Sequence, residues 1–178
     1  MIRLLIADDH PIVREGLKRI IAECPDMELV GEAVDGDETL KKCSDSVVDV
    51  LLLDVSMPGP GVLETMHRLR KENPGVRILV LSVHSEDQYA VRALRLGASG
   101  YLTKDHSADE LAGAIRRAYR GGKYVTESLA ERLAFELEAD RDLLPHSTLS
   151  DREYQVLCKL GSGTSVKDTA AELGLSPK

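Results

Sequence analysis

The sequence predicts a doubly wound α/β domain, a five-stranded parallel sheet with helices on both faces, followed by a small all-α segment. Three observations carry this. Five strand-like apolar runs alternate with segments of helical period between Ile2 and about Gly122. The middle runs are apolar at nearly every position, the pattern of a parallel sheet covered on both faces. Beyond Gly122 the strand-like runs stop and only helical periods remain.

The first strand, "IRLLIA", runs straight into two aspartates. The helix after it, "HPIVREGLKRIIAEC", places Ile12, Val13, Leu17, Ile20 and Ile21 on one face, with Arg14, Glu15, Lys18 and Glu23 largely elsewhere. "MELVGEA" and "GDETLKKCS" form the second strand and helix, "VDVLLLD" and "VLETMHRLRKEN" the third pair, "RILVLS" and "SEDQYAVRALRLGA" the fourth. "GYLT" and "SADELAGAIRRAYRGG" close the series. After "RGGKYV" the segment "TESLAERLAFELEADRD" reads as a helix with six acidic side chains against two arginines, and "LLPHST" as a linker. "SDREYQVLCKLGSG" opens with Ser150 and Glu153 in capping-box spacing, and "SVKDTAAELG" is a short helix closed by Gly174. Ser176 and Pro177 are an N-cap and a first-turn proline, the start of one more helix.

Composition narrows the function. With 178 residues there is room for one full domain and something smaller; 43% hydrophobic and 30% charged residues describe an ordinary globular chain. The short apolar run in "MIRLLIADDH" is neither a signal peptide nor a membrane span, so a cytoplasmic protein without membrane contact is expected. Cys24, Cys43 and Cys158 lack metal-site or disulfide spacing and are expected to be buried free thiols. A net charge of -7 argues against a general nucleic-acid coat, although an acidic domain can carry a small DNA-reading module.

In an open α/β sheet, ligands bind at the carboxyl ends of the strands. Asp8 and Asp9 follow the first strand, Asp54 ends the third, Ser82 the fourth and Lys104 the fifth. Taken singly, each is ordinary capping or surface chemistry. Together, five polar groups at the ends of four strands must converge. Three crowded carboxylates recruit a cation, and Mg²⁺, or Mn²⁺ in its place, suits a site of few carboxylates and several waters. The ion implies a phosphate. A phosphoryl group on Asp54 would have its oxygens held by the metal, the Lys104 ammonium and the Ser82 hydroxyl, which makes Asp54 the nucleophile of an acyl phosphate.

In order and spacing, "IADDH", "LLLDVSMPG", "LS" and "YLTKD" resemble the response-regulator receiver domain of two-component signalling. "DDHPIVREGL" and the tail "LSDREYQVLCKLGSGTSVKDTAAELGLSPK" resemble the NarL/FixJ subfamily, whose receivers carry a LuxR-type helix-turn-helix domain. The resemblance covers essentially the whole chain. It implies a flavodoxin-like sheet of order 2-1-3-4-5, with a receiver over 1–122, an acidic helix and linker over 123–148, and an incomplete DNA-binding domain over 149–178. It also implies that Asp54 is the phosphoacceptor, that Asp9 and Asp54 ligate Mg²⁺ directly, that Asp8 acts through a metal-bound water, and that the Ser56 carbonyl completes the ligands. Ser82 would be the hydroxyl switch. Tyr101 would be the aromatic switch, rotating inward as Ser82 moves toward the phosphoryl group; without the resemblance it reads as a half-buried strand tyrosine.

The implied partners are a sensor histidine kinase and DNA, with a homodimer left open. The implied chemistry is autocatalytic phosphoryl acceptance and hydrolysis on Asp54, without enzymatic turnover of another substrate. Two positions depart from the family: Val62, preceded by "GPG", stands where a glycine is frequent, and Asp105 where proline is frequent. His10 and His84, near the site, are expected in surface or capping roles, with an influence on phosphoryl lifetime as the alternative.

By the same resemblance "VKDTAAELG" is the scaffold helix of the motif, and the recognition helix would begin at Ser176, where the sequence ends. Truncation before that helix, with four Lys/Arg against four Asp/Glu from Leu149 onward, predicts weak DNA binding or none. Val156, Leu157, Leu160 and Leu173 are expected to be covered by the receiver or another chain. A stand-alone receiver without DNA output is the main alternative. A phosphatase or phosphotransferase would want a second acid where Ser56 stands, and an FMN binder would want a Ser/Thr/Gly loop where "ADDHP" repels phosphate.

Overall fold

The computed structural model describes residues 1–83, 90–138, 149, 151–161, 163–173 and 176. These fall into two compact units, Met1–Val125 and Thr126–Lys178. His84, the start of the fourth predicted helix, the "LLPHST" linker, Ser150, Gly174, Pro177 and Lys178 lie outside the described residues, as does the side chain of Cys158.

In the first unit β1 (Ile2–Ala7), β2 (Met27–Ala33), β3 (Val50–Asp54), β4 (Arg77–Ser82) and β5 (Gly100–Thr103) form one sheet of order β2-β1-β3-β4-β5, all pairs parallel. The crossovers are α1 (Pro11–Ala22), α2 (Gly36–Asp45), α3 (Val62–Glu72) and α4 (Ala90–Arg95), and α5 (Ala108–Tyr119) follows β5. The expected doubly wound sheet is therefore present, with β1 and β3 adjacent at its centre. The register pairs Ala7 with Leu53, Asp54 with Leu81 and Ser82 with Thr103, so the polar strand ends line up along one edge.

Burial on both faces explains the continuous apolar runs. All five residues of β3 are buried. The two faces separate clearly in β1, where Leu4 and Ile6 join Leu17, Ile21, Leu52, Leu81, Leu102, Leu111 and Ile115 in one core layer beneath α1 and α5. By strand alternation Leu5, Leu51, Leu53 and Val80 face the opposite layer, where α2 lies beside α3 and α3 beside α4. Each fully buried Leu or Ile contributes about 1.5–3 kcal/mol, so the layers dominate the fold's stability. Arg3, the one partly exposed position of β1, is paired with Asp49 at 2.8 Å.

Helix starts follow their capping chemistry. Asp35 accepts from the Glu38 amide, and Ser107 and Glu110 form a reciprocal capping box at α5. In α1, Pro11 sits in the first turn and His10 is the N-cap. Ile12 differs from the expectation: it is 88% exposed while Leu17 and Ile21 are buried. At 100° per residue Ile12 stands about 140° around the helix from Leu17, off the core stripe. Cys43 is buried as expected, whereas Cys24 is half-buried.

The second unit contains α6 (Glu127–Glu138), α7 (Asp151–Gly161) and α8 (Val166–Glu172), the last capped by Ser165, whose hydroxyl accepts from the Asp168 amide at 3.1 Å. Tyr154, Ala170 and Leu173 are buried, while Leu157 and Leu160 remain exposed. α7 and α8 pack on each other within this unit.

Candidate functional site

The carboxyl edge of the sheet gathers the predicted residues. Asp54 ends β3, and Asp8 and Asp9 sit in the tight turn between β1 and α1, so the parallel pairing of β1 with β3 brings the three acids together. The side chains of Asp8 and Asp54 are almost wholly buried, and that of Asp9 is about one-third exposed. Lys104, just past β5, places its Nζ 2.7 Å from Asp8 Oδ2 and 3.0 Å from Asp54 Oδ1. Its backbone amide donates to the Ser82 carbonyl at 2.6 Å, tying the ends of β4 and β5 together.

Burial raises the pKa of Asp54 above the usual carboxylate value, and the neighbouring Asp8 charge raises it further; Lys104 and the Ser56 backbone N–H oppose the rise. The Ser56 residue itself is exposed, in the loop that leads to α3. That loop turns at Gly59 (φ 90°) and Gly61 is the N-cap of α3, with Val62 buried as the first helical residue. Val62 therefore serves the core in this chain.

Ser82, buried, lies one residue beyond the partner of Asp54 on the adjacent strand. Tyr101 pairs with Val80, two residues before Ser82 on β4. Its neighbour Leu102 belongs to the layer beneath α1 and α5, so Tyr101 faces the opposite layer, and it is 1% exposed. The half-buried strand tyrosine expected from pattern alone is thus a fully buried one, because both faces of β5 are covered at Tyr101 and Leu102.

Two residues enter the site in ways the sequence did not signal. His10, the N-cap of α1, donates its backbone N–H to Asp8 Oδ1 at 2.8 Å. Its Nδ1 lies 3.0 Å from Asp9 Oδ1, 3.2 Å from Asp8 Oδ1 and 3.9 Å from Asp54 Oδ2. Arg14, one turn into α1, donates to the Asp8 carbonyl at 2.7 Å while pairing with Glu32 at 3.2 Å, and so braces the acidic turn against β2. A helical spacing of four from His10 places Arg14 over the turn, but nothing in its residue type marks that use.

The donor set fits a divalent cation. Among the described residues, one oxygen each of Asp8 and Asp9 and both oxygens of Asp54 are buried without completing a well-aligned hydrogen bond, even beside Lys104. One ligand atom from each of Asp8, Asp9, His10 and Asp54 falls within 4.8 Å of the others. Unpaired buried carboxylate oxygens are costly unless a cation or proton satisfies them.

Comparison with known proteins agrees with this architecture. Residues 4–116 match the response regulator receiver domain family. The chain is 36% identical to response regulator UvrY of Escherichia coli K12, over all of this chain and 82% of that protein. It is 35% identical to response regulator GacA of Pseudomonas aeruginosa, over all of this chain and 84% of that one. A LuxR-family two-component response regulator from Aurantimonas sp. SI85-9A1 superposes with a TM-score of 0.70 at 34% identity, covering 77% of this chain and 98% of its own. RcsB from Salmonella enterica serovar Typhimurium, solved on promoter DNA with the phosphomimetic BeF₃⁻, superposes with a TM-score of 0.71 at 26% identity, covering 99% of this chain and 84% of its own. With its receiver fold, its acidic edge and relatives of this identity along its whole length, the chain belongs to the two-component response regulators, in their NarL/FixJ branch.

Proposed function

We propose that Asp54 accepts a phosphoryl group from a sensor histidine kinase, and that the added charge switches a transcriptional output. The observation that carries this reading is the placement of Asp54: a buried carboxylate at the end of the central strand, 3.0 Å from an ammonium and beside two further acids. In the transfer, an Asp54 carboxylate oxygen attacks phosphorus as the bond to the donor imidazole nitrogen breaks. Water later hydrolyses the acyl phosphate and returns the carboxylate. The protein's own chemistry is limited to this acceptance and release; its role is signal transduction.

Asp9 and Asp54, with Asp8 behind them and the Ser56 carbonyl, would hold Mg²⁺ or Mn²⁺. When bound, such an ion supplies charge neutralisation for the phosphoryl oxygens. Lys104 opposes the rise in pKa that burial imposes on Asp54, and would then pair with the roughly 1.5 to 2 negative charges that the phosphoryl group adds. Ser82 reaches a phosphate oxygen by moving toward Asp54. Tyr101, whose ring is buried here, would exchange between this inward placement and an outward one. Moving such a switch from 1:99 to 99:1 takes about 5.5 kcal/mol, which several charge-assisted bonds in a buried site can supply and one exposed pair cannot.

The reading assigns 1–122 to the receiver, 123–148 to an acidic helix and linker, and 149–178 to the first part of a DNA-reading domain. The promoter-bound state of RcsB supports DNA as the eventual partner. Among the described residues no helix is long and apolar enough to cross a membrane, and a kinase-driven switch of this kind acts in the cytoplasm.

The test is intact mass after incubation with Mg²⁺ and acetyl phosphate, beside Asp54→Ala. A gain of about 80 Da, one phosphoryl group, on the unsubstituted protein alone is expected. A folded protein that gains no mass, or an Asp54→Ala protein that gains as much, overturns the reading.

A further inference from the structure

We propose that His10 makes the acidic pocket a mixed nitrogen and oxygen site, able to hold a borderline transition ion such as Zn²⁺ through a ligand that Mg²⁺ does not use. The inference rests on the phosphoacceptor reading above, since the ion would occupy the same pocket and take an oxygen of Asp54.

The geometry begins with the helix start. Pro11 fixes the backbone at the first turn of α1, and the His10 amide is anchored on Asp8 Oδ1 at 2.8 Å. The ring therefore leaves the backbone toward the carboxylates, with Nδ1 at 3.0, 3.2 and 3.9 Å from oxygens of Asp9, Asp8 and Asp54. Zinc bonds of about 2.0–2.2 Å to nitrogen and oxygen place neighbouring ligands roughly 3.0–3.5 Å apart around one ion. Two of the three separations fall in that range, and a small shift of the half-exposed imidazole closes the third. That exposure also gives an ion a way in.

A tethered imidazolium standing in for a metal is the competing explanation of these distances. It fails on donor count. One N–H at Nδ1 serves one acceptor, yet Asp9 Oδ1 and Asp54 Oδ2, both facing it, lack aligned partners; the Asp8 oxygen it faces, Oδ1, already accepts the His10 amide. A single ion facing Nδ1 and the carboxylates satisfies Asp9 and Asp54 at once. Carboxylate and water ligands suit Mg²⁺ and an imidazole suits Zn²⁺, so the discriminating property is how zinc affinity depends on His10. A bound Zn²⁺ would also engage the Asp54 oxygen and oppose phosphoryl uptake.

The experiment measures Mg²⁺ and Zn²⁺ binding to the untagged, metal-free full chain by calorimetry, with His10→Ala and His10→Gln beside it, and follows imidazole ¹⁵N shifts to separate this site from other zinc-binding side chains. The expected result is a His10 Nδ1 shift on adding Zn²⁺, with His10→Ala weakening Zn²⁺ at least about tenfold and leaving Mg²⁺ within about twofold. Equal weakening of both ions, no shift of Nδ1, or tighter Mg²⁺ binding in His10→Ala overturns the inference; the last outcome would identify the ring as a tethered cation. A protein that binds Mg²⁺ and gains a phosphoryl group while Zn²⁺ ignores His10 overturns this inference alone. Failure of the mass gain overturns the phosphoacceptor reading instead.

Discussion

Asp54 is more costly to ionise in the folded protein than in the unfolded chain, because burial and Asp8 outweigh Lys104 and the Ser56 amide. For an acid whose folded pKa is raised, the unfolded state releases its proton first, so stability falls as pH rises through the window between the unfolded value of about 3.9 and the folded one. Above that window the full cost is present; below it there is none. Asp54→Asn, which keeps the shape and removes the charge, is therefore expected to raise Tm by about 2–5 °C at pH 7 in metal-free buffer. The gain should shrink toward zero below about pH 4. Melting curves at both pH values check this, and a lower Tm at pH 7 would mean that the Lys104 pairing outweighs burial. At this scale the cluster was legible because Asp8, Asp9, Asp54 and Lys104 are polar residues at or just past the ends of apolar strands. Arg14 was not, and His10 was legible only as a surface or capping residue near the site, since what each touches depends on side-chain direction at a helix start. Ile12 misled for a related reason: an apolar residue in the first turn looks like part of the core stripe until its angle to Leu17 and Ile21 is counted.

Elements meet the site through close backbone approaches that residue identity only partly reveals. At the start of α2, a Cβ on Gly36 would stand 2.7 Å from Thr65 Oγ1 and 2.8 Å from the Pro60 carbonyl oxygen, inside the loop that follows Asp54. Gly36→Ala must displace that loop. It is expected to cost about 1–3 kcal/mol and to slow the acetyl phosphate mass gain. Gly16, in the middle of α1, has nothing within 4 Å of its Cβ position. There, alanine relieves only the helix cost of glycine, so Gly16→Ala should stabilise by about 0.5–1 kcal/mol and leave uptake unchanged. Urea titrations with the uptake assay compare the two, and similar effects from both would remove the loop from the argument. Both glycines read alike in the sequence. By contrast "RILVLS" coincides with β4, where a nearly unbroken apolar run declares a strand covered on both faces, while "MELVGEA" and "GYLT" coincide with β2 and β5, at the two edges of the sheet. Helix starts were legible wherever capping chemistry marks them, as Ser107 and Glu110 do.

At the scale of the whole molecule, the sheet has two edges, β2 and β5, and an open edge invites pairing with another chain. The glycine pair Gly121 and Gly122 reads as the end of the receiver, yet the compact unit runs to Val125. Tyr124 forms a parallel bridge with Gly100, its amide donates to the Ser99 carbonyl at 2.8 Å, and its ring meets His106 edge-on at 6.3 Å. A Cβ on Gly100 would stand 2.7 Å from the Tyr124 carbonyl oxygen, so this approach requires glycine there. Lys123 adds contacts to the Gly97 and Ala98 carbonyls beyond the end of α4. No periodicity marks the three residues "KYV", which is why pattern reading stops short of them. A polypeptide of residues 1–125 should therefore melt above one of residues 1–122, by about 4 °C if these contacts sum to about 1 kcal/mol. Gly100 lies at the amino end of β5 and Asp54 at the carboxyl edge of the sheet, so the two polypeptides should gain a phosphoryl group at the same rate. Circular dichroism melts and the mass assay separate these effects. Equal melting temperatures would show that the Tyr124 bridge adds nothing to the receiver, and unequal uptake would show that the far edge of the sheet reaches the phosphoacceptor.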